Sequence, residues 1–514
     1  MDYARLGEPG QYPYTRAIFP NGYRTQPWME SLASGFGLAE TTRERELAMM
    51  EFGQGSYEGR ASMNLVFDRP TFEGYDSDHP FARHEVGEVG LIVDSWRDLA
   101  RLFRGFDLPR LNVGFIVDRS GPPILAMYVA LADELGVPRN ELRGVVTNNP
   151  LEAYFISRMK LFPPRASLRM TADLARFTLA ELPHFNFCRV NGYNLRESGC
   201  TAVQEVAFAL AKGVAILEEC VSLGLDPARA SSRMTFQFSQ DSYFFEEICK
   251  IRAARRLWAG LLRDRFGIVE DRACRMKIHM QTGGSTLPAQ DSLNNLVRVG
   301  FQTLSAALAG AQSVHVAAYD EALGIPSSDS VRLAIKTSKI VQHEIGIADV
   351  VDPLGGSWYV ESLTDEIGEL VVSQLEKVDA MGGAIGAIEN RYFEQEIVDS
   401  AARLQSDIER GRRQVIGVNA YVDTGVPTMP PFRPNPDDRQ VAIQRCLELK
   451  AQRDPKKADV AIAEITSRAA DPRAPIFPAL INAAKADVTV GEMLGALGTS
   501  FGDWLEPSLL ALGL

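Results

Sequence analysis

Four polar segments, most of them glycine-bearing, carry the side chains best suited to hold a ligand. They are Phe67-Asp68-Arg69-Pro70-Thr71-Phe72-Glu73-Gly74-Tyr75-Asp76-Ser77-Asp78-His79-Pro80, Thr147-Asn148-Asn149, Asn191-Gly192-Tyr193-Asn194-Leu195-Arg196-Glu197-Ser198-Gly199 and Gln281-Thr282-Gly283-Gly284-Ser285. Their amides, hydroxyls and phenol are hydrogen-bonding groups that orient a ligand. Turn chemistry alone accounts for one such segment; four at equivalent points imply one site. Metal chemistry has little support. His79, His84, His184, His279, His315 and His343 show no H-x-x-x-H or H-E-x-x-H spacing. No G-x-S-x-G elbow, G-x-x-x-x-G-K-[ST] loop or G-x-G-x-x-G turn is present, which removes the signatures of hydrolases, nucleotide triphosphatases and simple dehydrogenases.

Each segment follows a short β-branched run. The runs are Met63–Phe67, Asn112–Val117, Gly144–Thr147, Phe187–Val190, Met234–Phe238, Met276–Met280, Ser313–Ala317 and Ala348–Val351. Amphipathic stretches lie between them: Asp94–Phe103, Ala166–Ala180, Ala202–Glu219, Phe244–Arg263, Ser292–Leu308 and Ser330–Glu344. Strand-helix alternation gives a parallel sheet. Eight units predict an α/β fold of the (β/α)8 TIM-barrel type, whose C-terminal mouth builds the active site; an open doubly wound sheet is the alternative. Asn64, Thr147, Asn194 and Gln281 are expected to point into one central channel. Asp365–Ala380, Gly383–Glu389, Phe393–Glu409, Asp438–Arg453 and Asp459–Ala470 read as helices, interrupted by a Pro-rich linker from Pro427 to Pro436. The expected division is an N-terminal arm over 1–30, a barrel over 31–362 and a helical appendage over 363–514.

The chain has 514 residues, 46% hydrophobic and 23% charged, with a formal net charge of −12. That composition is globular and argues against nucleic-acid or anionic-membrane binding. No apolar run reaches the ~18 residues of a membrane span, and the polar start Met1-Asp2-Tyr3-Ala4-Arg5 is no signal peptide. Cys188, Cys200, Cys220, Cys249, Cys274 and Cys446 form no C-x-x-C pair, as expected of reduced, buried thiols in a cytoplasmic protein.

Several motifs together resemble the methylmalonyl-CoA mutase family. They are Gly74-Tyr75-Asp76-Ser77-Asp78, Gln281-Thr282-Gly283-Gly284-Ser285, Gln312-Ser313-Val314-His315, Tyr319-Asp320-Glu321-Ala322, Asp352-Pro353-Leu354-Gly355-Gly356-Ser357-Trp358-Tyr359-Val360-Glu361 and Ile416-Gly417-Val418-Asn419, in collinear order. The large subunits of the 2-hydroxyisobutyryl- and isobutyryl-CoA mutases look closest. The resemblance implies a radical rearrangement of an acyl-CoA carbon skeleton inside the barrel, with adenosylcobalamin carrying the hard chemistry. Relatives that hold cobalamin on one chain have a D-x-H-x-x-G motif; no histidine here has aspartate two residues before it. The resemblance therefore implies adenosylcobalamin bound mainly by a separate small subunit, in a homodimer or heterotetramer.

Carried over residue by residue, the pocket departs from the family. The radical-cage histidine falls on Asn194, beside Tyr193; asparagine hydrogen-bonds a carbonyl but is no imidazolium acid. The arginine that clamps a free carboxylate falls on Ser157 and its neighbouring glutamine on Thr147, so carboxylate recognition is lost. Ala33 replaces a flanking aromatic residue and enlarges the acyl pocket. Asn64, Gly114 and Ile116 fall on channel-lining positions, with Gln281 and Thr282 at a strand end. Gln26 stands where an arginine near the CoA phosphates is expected, leaving Lys277 to supply charge. Phe72, Glu197 and Gln312 match positions that face the corrin. The expected substrate is an acyl thioester without a free carboxylate. The alternative is a degenerate barrel, either a non-catalytic partner subunit or one repurposed for cobalamin-independent chemistry.

Overall fold

The structure, a computed structural model, describes residues 6–57, 60–156, 162–423 and 432–504. Its framework is two parallel sheets. One runs in the order Met29–Glu30, Ser313–His315, Ile278–Thr282, Met234–Gln240, Cys188–Asn191. The other runs Ala33–Ser34, Arg60–Val66, Leu111–Ile116, Arg143–Val146, His184–Asn186, with Ser56–Tyr57 antiparallel beside Arg60–Val66. Two chain segments serve both sheets. Residues 29–34 pair with Ser313–His315 at one end and with Arg60–Val66 at the other. Residues 184–191 bend likewise between Arg143–Val146 and Met234–Gln240. Hydrogen bonds continue through both bends: Ser31 N–H donates to the Val314 carbonyl at 3.0 Å, and Arg189 N–H to the Thr147 carbonyl at 2.8 Å. The pairing remains two sheets rather than one continuous ring.

Period-two alternation fixes which residues meet the helices. Met63, Leu65, Val113, Phe115, Val190, Phe236, Phe238, Ile278, Met280 and Val314 are buried in the main apolar core. Their neighbours in sequence are small or polar: Ser62, Asn64, Asn112, Gly114, Arg189, Asn191, Thr235, Gln237, His279, Gln281, Ser313 and His315. A packed α/β barrel fills such positions with branched aliphatics. Here they form a polar interior.

The run Ala348–Val351 is not a strand. Ile347–Asp349 is a 3₁₀ turn after left-handed Gly346, and Asp349 and Val350 are exposed, so the run has no sheet face to bury. The eighth strand is supplied instead by residues 29–34, whose polar, glycine-flanked sequence carries little β-branched signal.

The expected helices form with small shifts, such as Ala202–Ser222, started by a Thr201–Gln204 capping box, and Phe244–Phe266. Gly121–Glu134 escapes a periodicity reading because twelve of its residues, from Gly121 to Ala132, are buried all round. Trp358–Ala380 crosses the expected boundary at 362 and packs on Ala202–Ser222 and Phe244–Phe266. Phe477–Lys485 packs on Gly121–Glu134. Thr489 donates to Asp76 at 2.7 Å, and Lys450 lies 3.0 Å from Asp76 and 2.8 Å from Asp78. The C-terminal helices are thus tied to the loop after Arg60–Val66. Pro427, Pro430 and Pro431 lie outside the described residues. All six cysteines are free and buried. No described helix is long and apolar enough to cross a membrane.

Candidate active site

At the C-terminal ends of the strands, Tyr193, Glu197, Gln281 and Glu321 form a cluster. Tyr193 opens the short helix Tyr193–Glu197, and its phenol lies within hydrogen-bond reach of Gln281 and of the Gly284 amide. Burial, with Glu197 and Glu321 nearby, holds the Tyr193 phenol well above its ordinary range. Gln281 accepts from Gln237 Nε2 at 2.9 Å. Glu197 accepts from the Ser285 amide at 2.6 Å and from its hydroxyl at 3.2 Å. Burial pushes Glu197 up to about 7, and burial plus Glu197 pushes Glu321 up to about 7. A Cβ at Gly284 would sit 2.9 Å from Glu321 Oε1 and 3.2 Å from both Glu197 Oε2 and the Tyr193 hydroxyl, so these three groups converge on its bare backbone. Asn194 donates from Nδ2 to Glu152 Oε1 at 2.5 Å. Glu152 in turn accepts from Asn149 at 2.5 Å and pairs with buried Lys212 at 3.2 Å.

The interior between the sheets brings some expected residues together and reassigns others. Ala33 N–H donates to His315 Nδ1 at 2.9 Å, and burial pulls the His315 imidazole down to about 4. His279 shares a 2.8 Å contact with the Ser313 hydroxyl and is held well below its ordinary range by burial, Arg189 and His315. Both imidazoles are therefore neutral. Alternation along the strands, His279-x-Gln281 and Ser313-x-His315, is the signal that would have placed them inside. Asn64 donates weakly to the Ser31 carbonyl at 3.4 Å, while its Oδ1 is buried without a partner. Gly114 does not open the pocket: a Cβ there would lie 2.0 Å from Asn64 Oδ1, so the carboxamide already occupies that space. Thr147 is 3% exposed, and its hydroxyl accepts from Val117 N–H at 2.8 Å and lies 3.1 Å from the Val117 carbonyl. It joins strands rather than facing a ligand. Thr282 behaves the same way, accepting from Ala317 N–H at 2.7 Å. Alternation turns Thr282 away from the face that Gln281 occupies. Ile116 ends its strand half-buried. Ser157 lies outside the described residues.

At the N-terminal ends of the strands lies a second feature, a cavity of about 730 Å³. Gln26, Lys277 and Gln312 all line it. Gln312 precedes its strand, with its carboxamide bonded to Ile278 N–H and the Gly310 carbonyl at 2.8 Å each. It therefore sits at the opposite end of the strands from Phe72 and Glu197 and cannot share a corrin face with them. Phe72 lines a small cleft with Asp118, Arg119 and Asn148. The large cavity is strongly cationic: among the described residues that line it are Arg60, Arg143, Arg189, Arg229, Arg233, Arg272, Arg275 and Lys277, with two carboxylates, Asp226 and Glu270. Lys277 donates to Asn186 Oδ1 at 3.0 Å and to the Ser232 carbonyl at 2.6 Å, and burial pulls its ammonium down to about 8. Sequence reading found one of these eight cations, because the others are scattered over strand starts and loops.

The family profile described as methylmalonyl-CoA mutase matches residues 2–503. The chain is 35% identical to the 2-hydroxyisobutanoyl-CoA mutase large subunit of Aquincola tertiaricarbonis, over 98% of this chain and 88% of that protein. It is 35% identical to the methylmalonyl-CoA mutase of Rhizobium meliloti, over 96% of this chain and 69% of that protein. The mitochondrial methylmalonyl-CoA mutase of Homo sapiens is 32% identical, over 96% of this chain and 65% of that protein. With a family match along nearly its whole length, and relatives named as mutases, this chain belongs to the methylmalonyl-CoA mutase family.

Proposed function

We propose that this chain is the substrate-binding subunit of an adenosylcobalamin-dependent acyl-CoA mutase, with its eight strand segments closing as a (β/α)8 barrel. The observation that carries the reading is the cationic cavity at the strand starts, continuous in sequence pattern with a polar interior that leads to Asn194 and Gln281. In a protein of net charge −12, eight cations against two carboxylates fit the phosphates of CoA. The acyl thioester then lies at the other end, beside Tyr193, Asn194 and Gln281. Asn194, anchored on Glu152, offers its remaining amide N–H to the thioester carbonyl.

The acyl group we propose lacks a free carboxylate. Thr147 has its hydroxyl committed to Val117, and Lys212, which shares Glu152 with Asn194, is neutralised by that carboxylate. An unpaired buried carboxylate would cost several kcal/mol. The donor set at the C-terminal mouth fits adenosylcobalamin, a group rich in amide and hydroxyl donors: Glu197 and Glu321 present carboxylate acceptors and Tyr193 a phenol around the bare Gly284. When bound, adenosylcobalamin supplies a carbon radical able to abstract hydrogen from the acyl chain. The chain's own residues orient the thioester, and the surrounding helices exclude water. A separate small subunit supplies most of the cobalamin contacts; "large subunit" in the name of one relative supports such a division. Turnover of an acyl-CoA panel by this chain with a cobalamin-binding subunit tests the reading. Isomerisation of an uncharged branched acyl-CoA is expected. Efficient conversion of methylmalonyl-CoA to succinyl-CoA would refute the charge argument, and no turnover with no CoA binding would refute the mutase assignment.

A further inference from the structure

Several buried arginines among the described residues find carboxylate or carbonyl partners for their terminal nitrogens. Arg252 pairs with Asp352 and Glu361, Arg196 with Asp241 and Glu247, and Arg255 donates to the carbonyls of Tyr14, Thr15 and Ala309. Arg196 and Arg252 each leave only Nε without a partner; Arg189 differs by leaving two nitrogens so. It is 6% exposed, and its Nε and Nη1 are buried without a hydrogen-bond partner. Its guanidinium reaches into the large cavity from the middle of the strand set. Thr235 lies in register with it on the next strand, His279 is close enough to feel its charge, and Asn112 and Ser313 line the same cavity; none of these four is acidic. Burial accordingly pulls Arg189 down to about 10, with no carboxylate to offset it. Leaving a guanidinium desolvated and unpaired is destabilising unless a ligand completes it.

The position identifies the complement. Phosphates held among Arg143, Arg233 and Lys277 lie at the strand starts, and the thioester lies beyond the strand ends near Asn194. The amide-containing arm that joins them must cross the interior beside Arg189. Amide carbonyl oxygens accept hydrogen bonds, and a guanidinium offers several N–H donors in a fixed fork. We propose that Arg189 is a specificity residue that donates to the carbonyl oxygens of this arm, so that the chain selects the carrier as well as the acyl group. The proposal rests on the acyl-CoA reading above.

Calorimetric titration of wild type, R189S and R189K with two probes tests it: CoA, and adenosine 3′,5′-bisphosphate, which has the phosphate end without the arm. R189S is expected to weaken CoA by about 10- to 100-fold, the worth of a charged hydrogen bond. Adenosine 3′,5′-bisphosphate should change by less than about twofold, since its phosphates contact other cations. R189K, a point charge without the fork, should bind CoA with intermediate affinity. Ligand-free R189S should melt at a higher temperature than wild type, because an unpaired buried cation is gone. Equal loss for both probes, no loss for CoA, or a lower melting temperature would overturn the proposal. Wild type that binds neither probe would overturn the acyl-CoA reading itself, whereas wild type and R189S binding CoA equally would overturn only the role of Arg189.

Discussion

Replacing Glu152 by glutamine separates an electrostatic account of the Asn194 site from a purely steric one. Glu152 Oε1 accepts from Asn194, and Oε2 accepts from Asn149 and pairs with Lys212 at 3.2 Å. The side chains of Lys212 and Glu152 are 0% and 3% exposed. Glutamine keeps the shape but leaves a buried ammonium against a neutral amide. Removing one member of a buried pair costs about 3–5 kcal/mol. Lys212 keeps its 2.5 Å bond to the Asn191 carbonyl, which places E152Q at the lower end, about 3 kcal/mol. The double variant E152Q/K212M removes both charges and should recover most of that loss, since replacing a buried pair by neutral groups is close to neutral. Burial already outweighs Glu152 and holds the Lys212 ammonium below its ordinary range. A base with a lowered folded pKa gains relative stability as pH rises, so the E152Q deficit should shrink toward alkaline pH. Urea unfolding followed by tryptophan fluorescence reads all three variants. E152Q within about 1 kcal/mol of wild type, or a double variant as unstable as E152Q, would refute the assigned pairing.

Gly114→Ala should destabilise by about 1–3 kcal/mol, the range for overpacking, because its Cβ falls 2.0 Å from Asn64 Oδ1; urea midpoints check this. Lys277, lowered to about 8 by burial, loses its charge as pH rises through that value, so CoA affinity should fall between pH 7 and 9. Ligand-free stability should move the other way, rising from about 8 toward the ordinary lysine value of 10.5, and both trends should flatten in K277M. Glu321, raised to about 7, binds its proton more tightly folded than unfolded, so stability should decline from pH 4.5 to about 7. In E321Q, melting temperatures over that range should show a smaller decline.

The strand framework was legible where β-branched runs alternate with helical periodicity, as at Asn112–Val117 and Met234–Phe238. It was illegible at residues 29–34, where a strand is made by its neighbours on both sides rather than by propensity. The reverse error at Ala348–Val351 has the same cause: a β-branched run with no partner folds as a turn. Near the strand ends, residue types drew attention to Tyr193, Asn194 and Glu197, which follow a strand, and to Gln281 at the end of another; the structure brings Tyr193, Glu197 and Gln281 together there. Gln312 was assigned to the wrong end, since sequence distance from a motif does not say on which side of a strand a residue falls. Thr147 and Thr282 read as ligand contacts because a hydroxyl that ties two strands looks the same in sequence as one facing a cavity. Arg189 and Glu152 were invisible for a different reason: their importance lies in partners that are missing or distant in the chain, 60 residues away for the Glu152–Lys212 pair.

The central claim is that the cationic cavity at the strand starts is where CoA enters. Calorimetric titration of this chain alone with CoA, repeated from low to high salt, tests it most directly. The account predicts one CoA per chain, with affinity that falls steeply as salt screens the cavity cations and with weaker binding when Lys277 and Arg233 are replaced by methionine. CoA that gives no heat of binding at low salt, or binds with an affinity indifferent to both salt and these substitutions, would contradict it.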